Sequence, residues 1–499
     1  MWVLLRIVIS SSVILFITLG FFGIISPMFL ALSKLQFGQI FVDLSAGTAV
    51  VCSVIIIVSA LFGRVYCSTL CPLGTLQDFA GALGASFKKR KYSFHRQFKL
   101  LRYLILIFVV ALFVLGVPSI IGILDPYSIY VRGASRLLDR AIGFIMQVID
   151  PLLRNWGVYS PYSQGGFHFI PVAILSAVFS LSLFRGRFFC NTLCPVGLIL
   201  GCASQAPIFR PAFNDNCISC GKCEASCKSE CINVAEKFID STRCVMCGNC
   251  SAVCPVEAMS YSGIEHKFDH EKRNSMKSIA SIAFFSALTF IKEIFHETIP
   301  ALSALTKRIK ESDLHPQIPA GAMSWARLRD KCISCHACIK RCPSKVLEPA
   351  TAKFGLNGTL KPVLNFNKGF CQYDCVECGQ TCPFGAIMPI DVNEKHKIQT
   401  GVAYYNGEIC VISTIHEHCG ACAEHCPTGA LEMISKDGNS YPIPTINSVL
   451  CVGCGACEYI CPVIPEKAIS VKPHAIHQTA EVLQMKDNNI LEIDEGFVF

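Results

Sequence analysis

Six runs of four cysteines follow one another between residues 217 and 461, and four of these runs read Cys-x2-Cys-x2-Cys-x3-Cys. In a loop with this spacing three thiolates reach one cube of iron and sulfide, and the fourth cysteine reaches a neighbouring cube. Two runs therefore make one compact unit with two cubes. The six runs predict three α+β bacterial-type 2[4Fe-4S] ferredoxin modules at residues 205–270, 320–395 and 400–475, followed by a C-terminal tail at 476–499.

The pairing rule assigns the module cysteines to six predicted [4Fe-4S] clusters, and it uses 24 of the 31 cysteines. Module 1 holds quartet 1 (Cys217, Cys220, Cys223 and Cys254) and quartet 2 (Cys227, Cys244, Cys247 and Cys250). Module 2 holds quartet 3 (Cys332, Cys335, Cys338 and Cys382) and quartet 4 (Cys342, Cys371, Cys375 and Cys378). Module 3 holds quartet 5 (Cys426, Cys451, Cys454 and Cys457) and quartet 6 (Cys410, Cys419, Cys422 and Cys461). Cys227 lacks the usual following proline, so either it or the nearby Cys231 is the fourth ligand of quartet 2.

Three other interpretations of the cysteines predict different chemistry. Zinc ribbons also use Cys-x2-Cys, but they take two pairs per metal and do not produce runs of four that end in proline. The string Cys332-Ile-Ser-Cys335-His336 matches the attachment motif of a c-type haem, yet both cysteines already belong to a ferredoxin run. Disulfide scaffolds are short secreted chains, and their cysteines do not recur in one ligand spacing. Iron cubes therefore account for the pattern best.

The apolar residues of the chain crowd into its first 190 positions. Four apolar stretches precede the cysteine-rich region, and each reaches or nearly reaches the roughly 20 residues that a helix needs to cross a bilayer. They are Ile7–Ser33, Leu44–Gly63, Tyr103–Leu124 and a fourth that is most apolar at Phe167–Phe184. The sequence therefore predicts an α-helical multi-pass membrane domain at residues 1–200, with membrane lipid as a partner.

An internal repeat lies at the ends of the second and fourth stretches. GRVYCSTLCPLG begins at Gly63 and GRFFCNTLCPVG begins at Gly186, and the two share eight of twelve positions. This duplication predicts two repeated helical hairpins. Each copy offers Cys-x3-Cys-Pro, so a further iron–sulfur cluster could be held by Cys67, Cys71, Cys190 and Cys194. The alternative is that these cysteines are small buried residues and that the prolines cap helices.

Basic residues predict the orientation of this domain. They concentrate between Arg64 and Arg102, which places that loop, the N-terminus and module 1 in the cytoplasm. Residues 271–300 begin with basic residues and continue with an uncharged run at 278–291, as an export signal or a fifth membrane helix would. We expect this segment to place modules 2 and 3 in the periplasm; the alternative is a surface helix with every module cytoplasmic. The net charge of +8 is modest, so no nucleic-acid partner is expected.

A quinone site needs a group that takes up protons. Asp125, Tyr127 and Arg132, in and after the string LDPYSIY, are the candidates, although an aspartate before proline at a helix end is commonly a turn or cap residue. No catalytic nucleophile, flavin site or phosphate loop is evident elsewhere in the sequence.

Together these motifs resemble the NapH and NapG proteins of periplasmic nitrate reductase systems, joined head to tail. The NapH-like part covers roughly residues 1–270 and the NapG-like part roughly residues 271–475; the NosR and CcoG membrane polyferredoxins share related motifs. The resemblance implies a multi-pass protein of the bacterial inner membrane, a quinol dehydrogenase subunit that passes electrons from the quinone pool through [4Fe-4S] clusters to a periplasmic or membrane redox protein. Two alternatives are a redox-linked assembly factor, as CcoG-like proteins are suspected to be, and an electron-transfer subunit of a larger membrane complex.

Overall fold

The computed structural model describes residues 2–20, 32–33, 35–38, 46–88, 92–96, 98–114, 118–138, 141, 169–205, 207–262, 315–355, 357–435 and 441–481. The predicted export-type segment at 271–300 lies outside these residues. Most of the predicted tail at 476–499 also lies outside them.

The described residues among the first 205 are mainly helical. In chain order they are α1 (Trp2–Gly20), α2 (Ala46–Phe62), α3 (Tyr66–Thr69), α4 (Pro72–Lys88), α5 (Lys99–Val114), α6 (Pro118–Leu124), α7 (126–138), α8 (Phe169–Arg185), α9 (Phe188–Thr192) and α10 (Pro195–Ala203). The two copies of the repeat fold alike. Each has a long helix that stops at a glycine with positive φ, Gly63 or Gly186, then a short helix with the first cysteine, then a helix that begins at the proline.

One described helix, α1, is long and apolar enough to cross a membrane by length and composition. Val50–Phe62 within α2 and Phe169–Arg185 are apolar but shorter. The described residues of the third apolar stretch lie in α5 and α6. The arrangement with four spans stays a prediction.

Module 1 contains two antiparallel two-stranded sheets and two short helices. β1 (Arg210–Phe213) pairs with β4 (Met259–Ser262), and β2 (Ile232–Asn233) pairs with β3 (Phe238–Ile239). The helices α11 (Lys222–Ala225) and α12 (Asn249–Ala252) each carry the third cysteine of a run. This α+β arrangement is the one that the cysteine spacing predicts.

Modules 2 and 3 follow the same plan with added elements. Module 2 contains α13 (Trp325–Lys331), α14 (Ala337–Arg341), β5 (Leu347–Pro349) paired with β6 (Pro362–Leu364), α15 (Glu377–Thr381) and α16 (Val392–His396). Module 3 contains β7 (Ile398–Tyr405), α17 (Val411–Thr414), α18 (Ala421–Glu424), β8 (Leu431–Ile434) paired with β9 (Ile443–Ile446), α19 (Ala456–Ile460) and β10 (Ile469–Thr479), which pairs with β7. β10 also bridges to Ser324 of module 2 through Ile476.

The buried core of the helical domain extends into both neighbouring modules. It includes Val245 of module 1, and it includes Ile333 and Phe384 of module 2. Modules 1 and 2 meet the helical domain towards opposite ends of α1. Near the start of α1, the Trp2 indole donates to the Met246 carbonyl of module 1. Near its end, Thr18 bonds to Tyr130, which lies one turn after Tyr127, and Tyr127 packs on Phe384 of module 2. Sixteen residues of helix separate Trp2 from Thr18, about 24 Å at the α-helical rise.

Candidate iron–sulfur centres

The four regular cysteine loops share an unusual backbone. In each loop the residue before the second cysteine and the residue after it have positive φ, a conformation that L-residues rarely adopt. The first position is filled by Ser219, Met246, Ser334 and Gly453, with φ between 52° and 72°. The second is filled by Gly221, Gly248, His336 and Gly455, with φ between 67° and 80°. Four loops from three modules therefore fold in the same way around their cysteines.

A third left-handed residue follows the fourth cysteine in five of the six runs, the exception being the run that ends at Cys461. It lies three positions beyond that cysteine, at Glu230, Glu257, Lys345, Gly385 and Gly429, with φ between 50° and 64°. Glu230 is three residues beyond Cys227, whereas Val234, three residues beyond Cys231, is not left-handed. Cys227 therefore occupies the backbone position of a fourth cysteine even without a proline.

The structure brings the members of quartet 2 together. The Cys250 thiol interacts electrostatically with those of Cys244, Cys247 and Cys227. The sulfur of Cys231 lies 3.5 Å from that of Cys227, and a hydrogen bond from it lowers the pKa of Cys227. Cys231 is thus a close neighbour of the quartet, and its hydrogen bonds lower the pKa of both Cys227 and Cys244.

In the other quartets, electrostatic contacts join all four cysteines of quartets 3, 4 and 5, and three of the four in quartets 1 and 6. In quartet 1, Cys223 interacts with Cys217 and Cys220, and Cys254 packs against the same core. The same kind of contact joins the members of quartet 3, of quartet 4 and of quartet 5. In quartet 6, Cys422 interacts with Cys419 and Cys410, while Cys461 lies in the core that contains Cys410.

Neighbouring quartets also touch one another. Cys338 of quartet 3 interacts with Cys378 of quartet 4. The Cys371 amide donates a 2.9 Å hydrogen bond to the Cys454 carbonyl, which joins quartet 4 of module 2 to quartet 5 of module 3. Cys457 of quartet 5 in turn interacts with Cys422 of quartet 6. Quartets 3 to 6 therefore form a continuous series.

The four cysteines of the repeat converge on one place inside the helical domain, called the helical site below. Cys194 interacts with Cys190, Cys71 and Cys67, and each of the four side chains is no more than 3% exposed. Two buried glycines permit this approach. A Cβ at Gly74 would collide with the Cys67 carbonyl, and a Cβ at Gly197 would collide with the Cys190 carbonyl. The amides of these glycines donate to the sulfurs of Cys71 and Cys194, both at 3.4 Å.

Two buried arginines tie the copies of the repeat together reciprocally. Arg64 of the first copy donates to the carbonyl of Cys190 in the second copy at 3.0 Å. Arg187 of the second copy donates to the carbonyl of Cys67 in the first copy at 2.7 Å. Both side chains are 0% exposed. Arg64 also donates to the sulfur of Cys67 at 3.8 Å, and a buried guanidinium beside these thiols suits a site whose thiols are ionised and bound to metal.

Asp78 in α4 connects the helical site to module 1. Its carboxylate accepts two hydrogen bonds from Arg187, both at 2.9 Å, and one from Arg6 at 2.7 Å. Lys228 of module 1 donates to the Asp78 carbonyl at 2.9 Å. Burial alone would raise the pKa of Asp78, but Arg187, Lys228 and Arg6 outweigh it and hold that pKa well below its usual value. Asp78 also interacts electrostatically with Cys247 of quartet 2.

The quinone-site candidates lie between the helical site and module 2. Asp125 is 1% exposed and caps α7, because its Oδ2 accepts the Ser128 amide at 2.8 Å. Its Oδ1 has no hydrogen-bond partner within the described part of the chain. Tyr127 packs edge-on against Phe384, with ring centroids 6.1 Å apart, and interacts electrostatically with Cys335 of quartet 3.

Arg132 belongs to the same buried region. Its guanidinium donates to the carbonyls of Gly122 at 2.5 Å and Ser128 at 3.2 Å, and it interacts electrostatically with Cys335. The three candidates therefore share one region, and Tyr127 and Arg132 border quartet 3.

A short segment joins Asp125 to the helical site. The Phe37 amide donates to the Tyr66 hydroxyl at 3.1 Å, and Tyr66 directly precedes Cys67. Gly38 lies so close to Asp125 that a Cβ there would collide with the carboxylate. Residues 35–38 therefore contact both Asp125 and the residue that precedes Cys67.

The donor set fits iron–sulfur cubes. Burial raises the pKa of Cys247 and of Cys422 to about 11, so these thiols need a bound cation to ionise at neutral pH. Among the described residues no group of three or more Cys, His, Asp or Glu is close enough to hold a single metal ion. A cube spaces its four thiolates further apart than one ion does. The predicted residues would hold such cubes; ligation itself stays a prediction.

Sequence reasoning missed the charged residues around the helical site. Arg64, Arg187 and Asp78 were not candidates, although the repeat shares a Gly-Arg pair immediately before its cysteines. That shared arginine was the available signal. For Asp78 and for the segment at 35–38 the sequence holds no comparable signal, because their contacts are made with distant parts of the chain.

Comparisons with known proteins agree with this geometry. Residues 46–91 and 167–214, which contain both copies of the repeat, match the model of a 4Fe-4S binding domain. Residues 243–347 and residues 416–464 each match a 4Fe-4S dicluster domain. These matches support bound 4Fe-4S clusters in this chain.

Several curated proteins are similar to part of the chain. The methylamine utilization ferredoxin-type protein MauM of Methylophilus methylotrophus is 30% identical over 165 residues, which cover 32% of this chain and 71% of MauM. The ferredoxin-type protein NapF of Escherichia coli is 30% identical over 132 residues, 26% of this chain and 71% of NapF. The ferredoxin-type protein NapG of Escherichia coli is 29% identical over 164 residues, 31% of this chain and 69% of NapG. The chain therefore belongs to the Nap and Mau family of ferredoxin-type iron–sulfur electron-transfer proteins.

Proposed function

We propose that this chain is a multi-pass protein of the bacterial inner membrane that oxidises quinol in its helical domain and delivers the electrons to a periplasmic redox partner. The observation that carries the proposal is the serial order of the cysteine sites. Quartets 1 and 2 share one core in module 1, and quartet 2 reaches the helical site through Asp78. Beyond Asp125 and Tyr127 come quartets 3, 4, 5 and 6.

Each [4Fe-4S] cluster accepts and releases single electrons when it is bound. The protein holds the cysteine sites in contact order, buries the helical site and supplies buried charges beside it. Modules 2 and 3 form one body through β10 and the Cys371 to Cys454 hydrogen bond. With module 1 towards the other end of α1, the helical domain lies between two sets of electron carriers, as a membrane-crossing electron path requires.

Asp125 is the residue best placed to take a proton from quinol. A buried carboxylate oxygen without a hydrogen-bond partner is unstable unless a donor reaches it, and a quinol hydroxyl is such a donor. As quinol becomes quinone it releases two electrons, which the cysteine-held centres would accept one at a time, and two protons. The first proton goes to Asp125 Oδ1, and the second goes to water. Tyr127 and Arg132 then form the side of this region that faces quartet 3.

The test uses the full-length protein, purified without oxygen. Seven cubes predict about 28 irons and as many acid-labile sulfides per chain, whereas six cubes predict about 24. A short-chain menaquinol or ubiquinol should reduce these centres, as followed by EPR. If quinol reduces none of them while a cytoplasmic ferredoxin does, the assignment to the quinone pool is wrong.

Asp125→Asn separates the proton acceptor from the electron path. We expect quinol-driven reduction to slow by about 10²-fold or more, the usual contribution of a positioned proton acceptor, with dithionite reduction and iron content unchanged. Asp215→Asn, the same chemical change at an exposed position of module 1, is the matched control and should behave as wild type. Equal rates in Asp125→Asn and wild type would remove Asp125 from the mechanism.

A further inference from the structure

A cleft with a strongly cationic lining opens between the helical domain and module 1. It encloses about 350 Å³, including space open to solvent. The helical domain contributes Arg102 and Arg185, the connecting segment contributes His95 and Arg96, and module 1 contributes Arg243. Arg243 also interacts electrostatically with Cys227 of quartet 2, whereas Arg96, Arg102 and Arg185 have no part in the electron path described above.

Among the described residues, arginines outnumber carboxylates around the cleft. Glu230 is the acidic residue of the lining, and it pairs with Arg185 and His95, both at 3.2 Å. Asp240 pairs with Arg243 at 2.7 Å. Asp240, just outside the lining, also interacts with Arg102, so in the described part of the chain four lining arginines share two carboxylates. Such an excess in a partly enclosed cleft attracts an anion.

Two arginine nitrogens in this lining have no acceptor among the described residues. They are Nε of Arg185 and one terminal nitrogen of Arg243, and both are buried. The remaining nitrogens of Arg243 donate to Asp240 at 2.7 Å and to the His95 carbonyl at 2.9 Å, so its side chain is held in place. Buried guanidinium donors without acceptors are costly, and a multivalent oxyanion would satisfy them.

The position of the cleft identifies the source of that anion. Arg102 lies in the first turn of the apolar helix α5, and Arg185 is the last residue of the apolar helix α8. Arginines at the ends of apolar helices stand at the level of lipid headgroups. Apolar side chains beside the cleft are strongly exposed, including Phe98 at 54%, Leu101 at 41% and Phe184 at 48%. A cationic cleft next to an exposed apolar surface suits a phosphate that carries acyl chains.

We propose that this cleft binds the phosphate group of an anionic phospholipid at the junction of the helical domain and module 1. The acyl chains lie along the exposed residues of α5 and α8, and the phosphate lies among the arginines. The lipid source depends on the helical domain being in a bilayer, as proposed above; the phosphate chemistry does not. A bound lipid would hold module 1 against the helical domain where quartet 2 meets Asp78.

The experiment measures lipid retention by native mass spectrometry on full-length protein from vesicles of phosphatidylcholine with and without phosphatidylglycerol. Wild type should retain phosphatidylglycerol in preference to phosphatidylcholine. Arg96→Gln and Arg102→Gln should each lower that preference about fivefold, the effect expected of one basic residue at a membrane surface. Lys222→Gln removes the same charge from an exposed site of module 1 outside the cleft and should change nothing.

Further arms separate the sources of the anion. Calorimetric titration of the detergent-solubilised protein with inorganic phosphate should show no binding in the micromolar range; tight binding that Arg96→Gln weakens would assign the cleft to free phosphate and overturn the lipid. If Lys222→Gln loses as much phosphatidylglycerol as Arg96→Gln does, the lipid is held by general surface charge, and the proposed binding site is wrong. Because Arg96 is exposed, its substitution does not threaten folding, and iron content checks that each variant keeps its clusters. No preference for phosphatidylglycerol in wild type would also end the proposal.

Discussion

The module quartets and the helical site gather four cysteines by different means. In the modules, three of the four come from one loop, and in the four regular loops left-handed residues recur at fixed positions, so local sequence dictates most of the geometry. At the helical site two cysteines come from each copy of a repeat 123 residues apart, and the arginine of each copy bonds to the other copy. The first kind of site is built locally, whereas the second exists only if the two hairpins meet.

The two kinds of site also treat charge differently. At the helical site two fully buried arginines flank the thiols. Asp78 links this site to quartet 2, because it accepts a hydrogen bond from Arg187 and also interacts electrostatically with Cys247. Changes at the helical site should therefore spread between the repeats and towards module 1, while changes in a module should stay within that module.

The largest expected effect tests whether the helical site is one shared centre. Cys71→Ala in the first copy and Cys194→Ala in the second should each remove about four irons, and the double variant should also lose about four rather than eight. Cys71→Ala combined with Cys217→Ala of quartet 1 should lose about eight. Iron and acid-labile sulfide analysis gives the answer, and additive losses in the first pair would mean that each copy binds metal by itself.

Quartet 2 tests how strictly the backbone of a module selects its ligands. Cys227 has the left-handed residue three positions later that marks a fourth cysteine, and Cys231 has not. Cys227→Ala should therefore lose about four irons, and Cys231→Ala should lose none. The reverse result, measured by iron content and by the EPR signal of module 1, would show that the proline-free run closes on Cys231.

The reciprocal arginines should tune the helical site rather than create it. Arg64→Gln removes a buried positive charge beside the thiols, which disfavours the more negative reduced state and lowers the midpoint potential of the bound centre. A loss of about 60 mV corresponds to roughly 1.4 kcal/mol for a single electron. Arg187→Gln should shift the same potential further and also lower the yield of folded protein, because Arg187 holds Asp78 as well.

The control for the arginine variants is Arg210→Gln in β1 of module 1, which should leave that potential unchanged. An EPR redox titration measures all three variants. Unchanged potentials in both helical variants would mean that the arginines only brace the fold.

Sequence spacing predicts the local part of this molecule and not the part made by distant contacts. The quartets could be predicted because one loop carries three of each four ligands, and the duplicated motif predicted that Cys67, Cys71, Cys190 and Cys194 would meet. The docking of Phe384 on Tyr127 could not be predicted, because more than 250 residues separate them and no periodic pattern records the contact. The sequence predicts Asp125 as a candidate residue. That its Oδ1 is buried without a hydrogen-bond partner among the described residues, with Gly38 packed against the carboxylate, follows only from the structure.

The smallest expected effect lies at His336, which stands where the other three regular loops have glycine. Its φ is 67°, and its ring nitrogen Nε2 bonds to the Leu360 carbonyl at 2.9 Å. His336→Gly should relieve a left-handed strain of roughly 1–2 kcal/mol and lose a hydrogen bond of similar size, so unfolding free energy should change by about 1 kcal/mol or less. His336→Val loses the bond and keeps the strain, so it should destabilise module 2 by about 2 kcal/mol. Denaturant unfolding of the cluster-loaded protein measures both, with iron content unchanged in the glycine variant. If the glycine variant instead loses a haem absorption band, His336 is an axial ligand and the loop is not a ferredoxin loop.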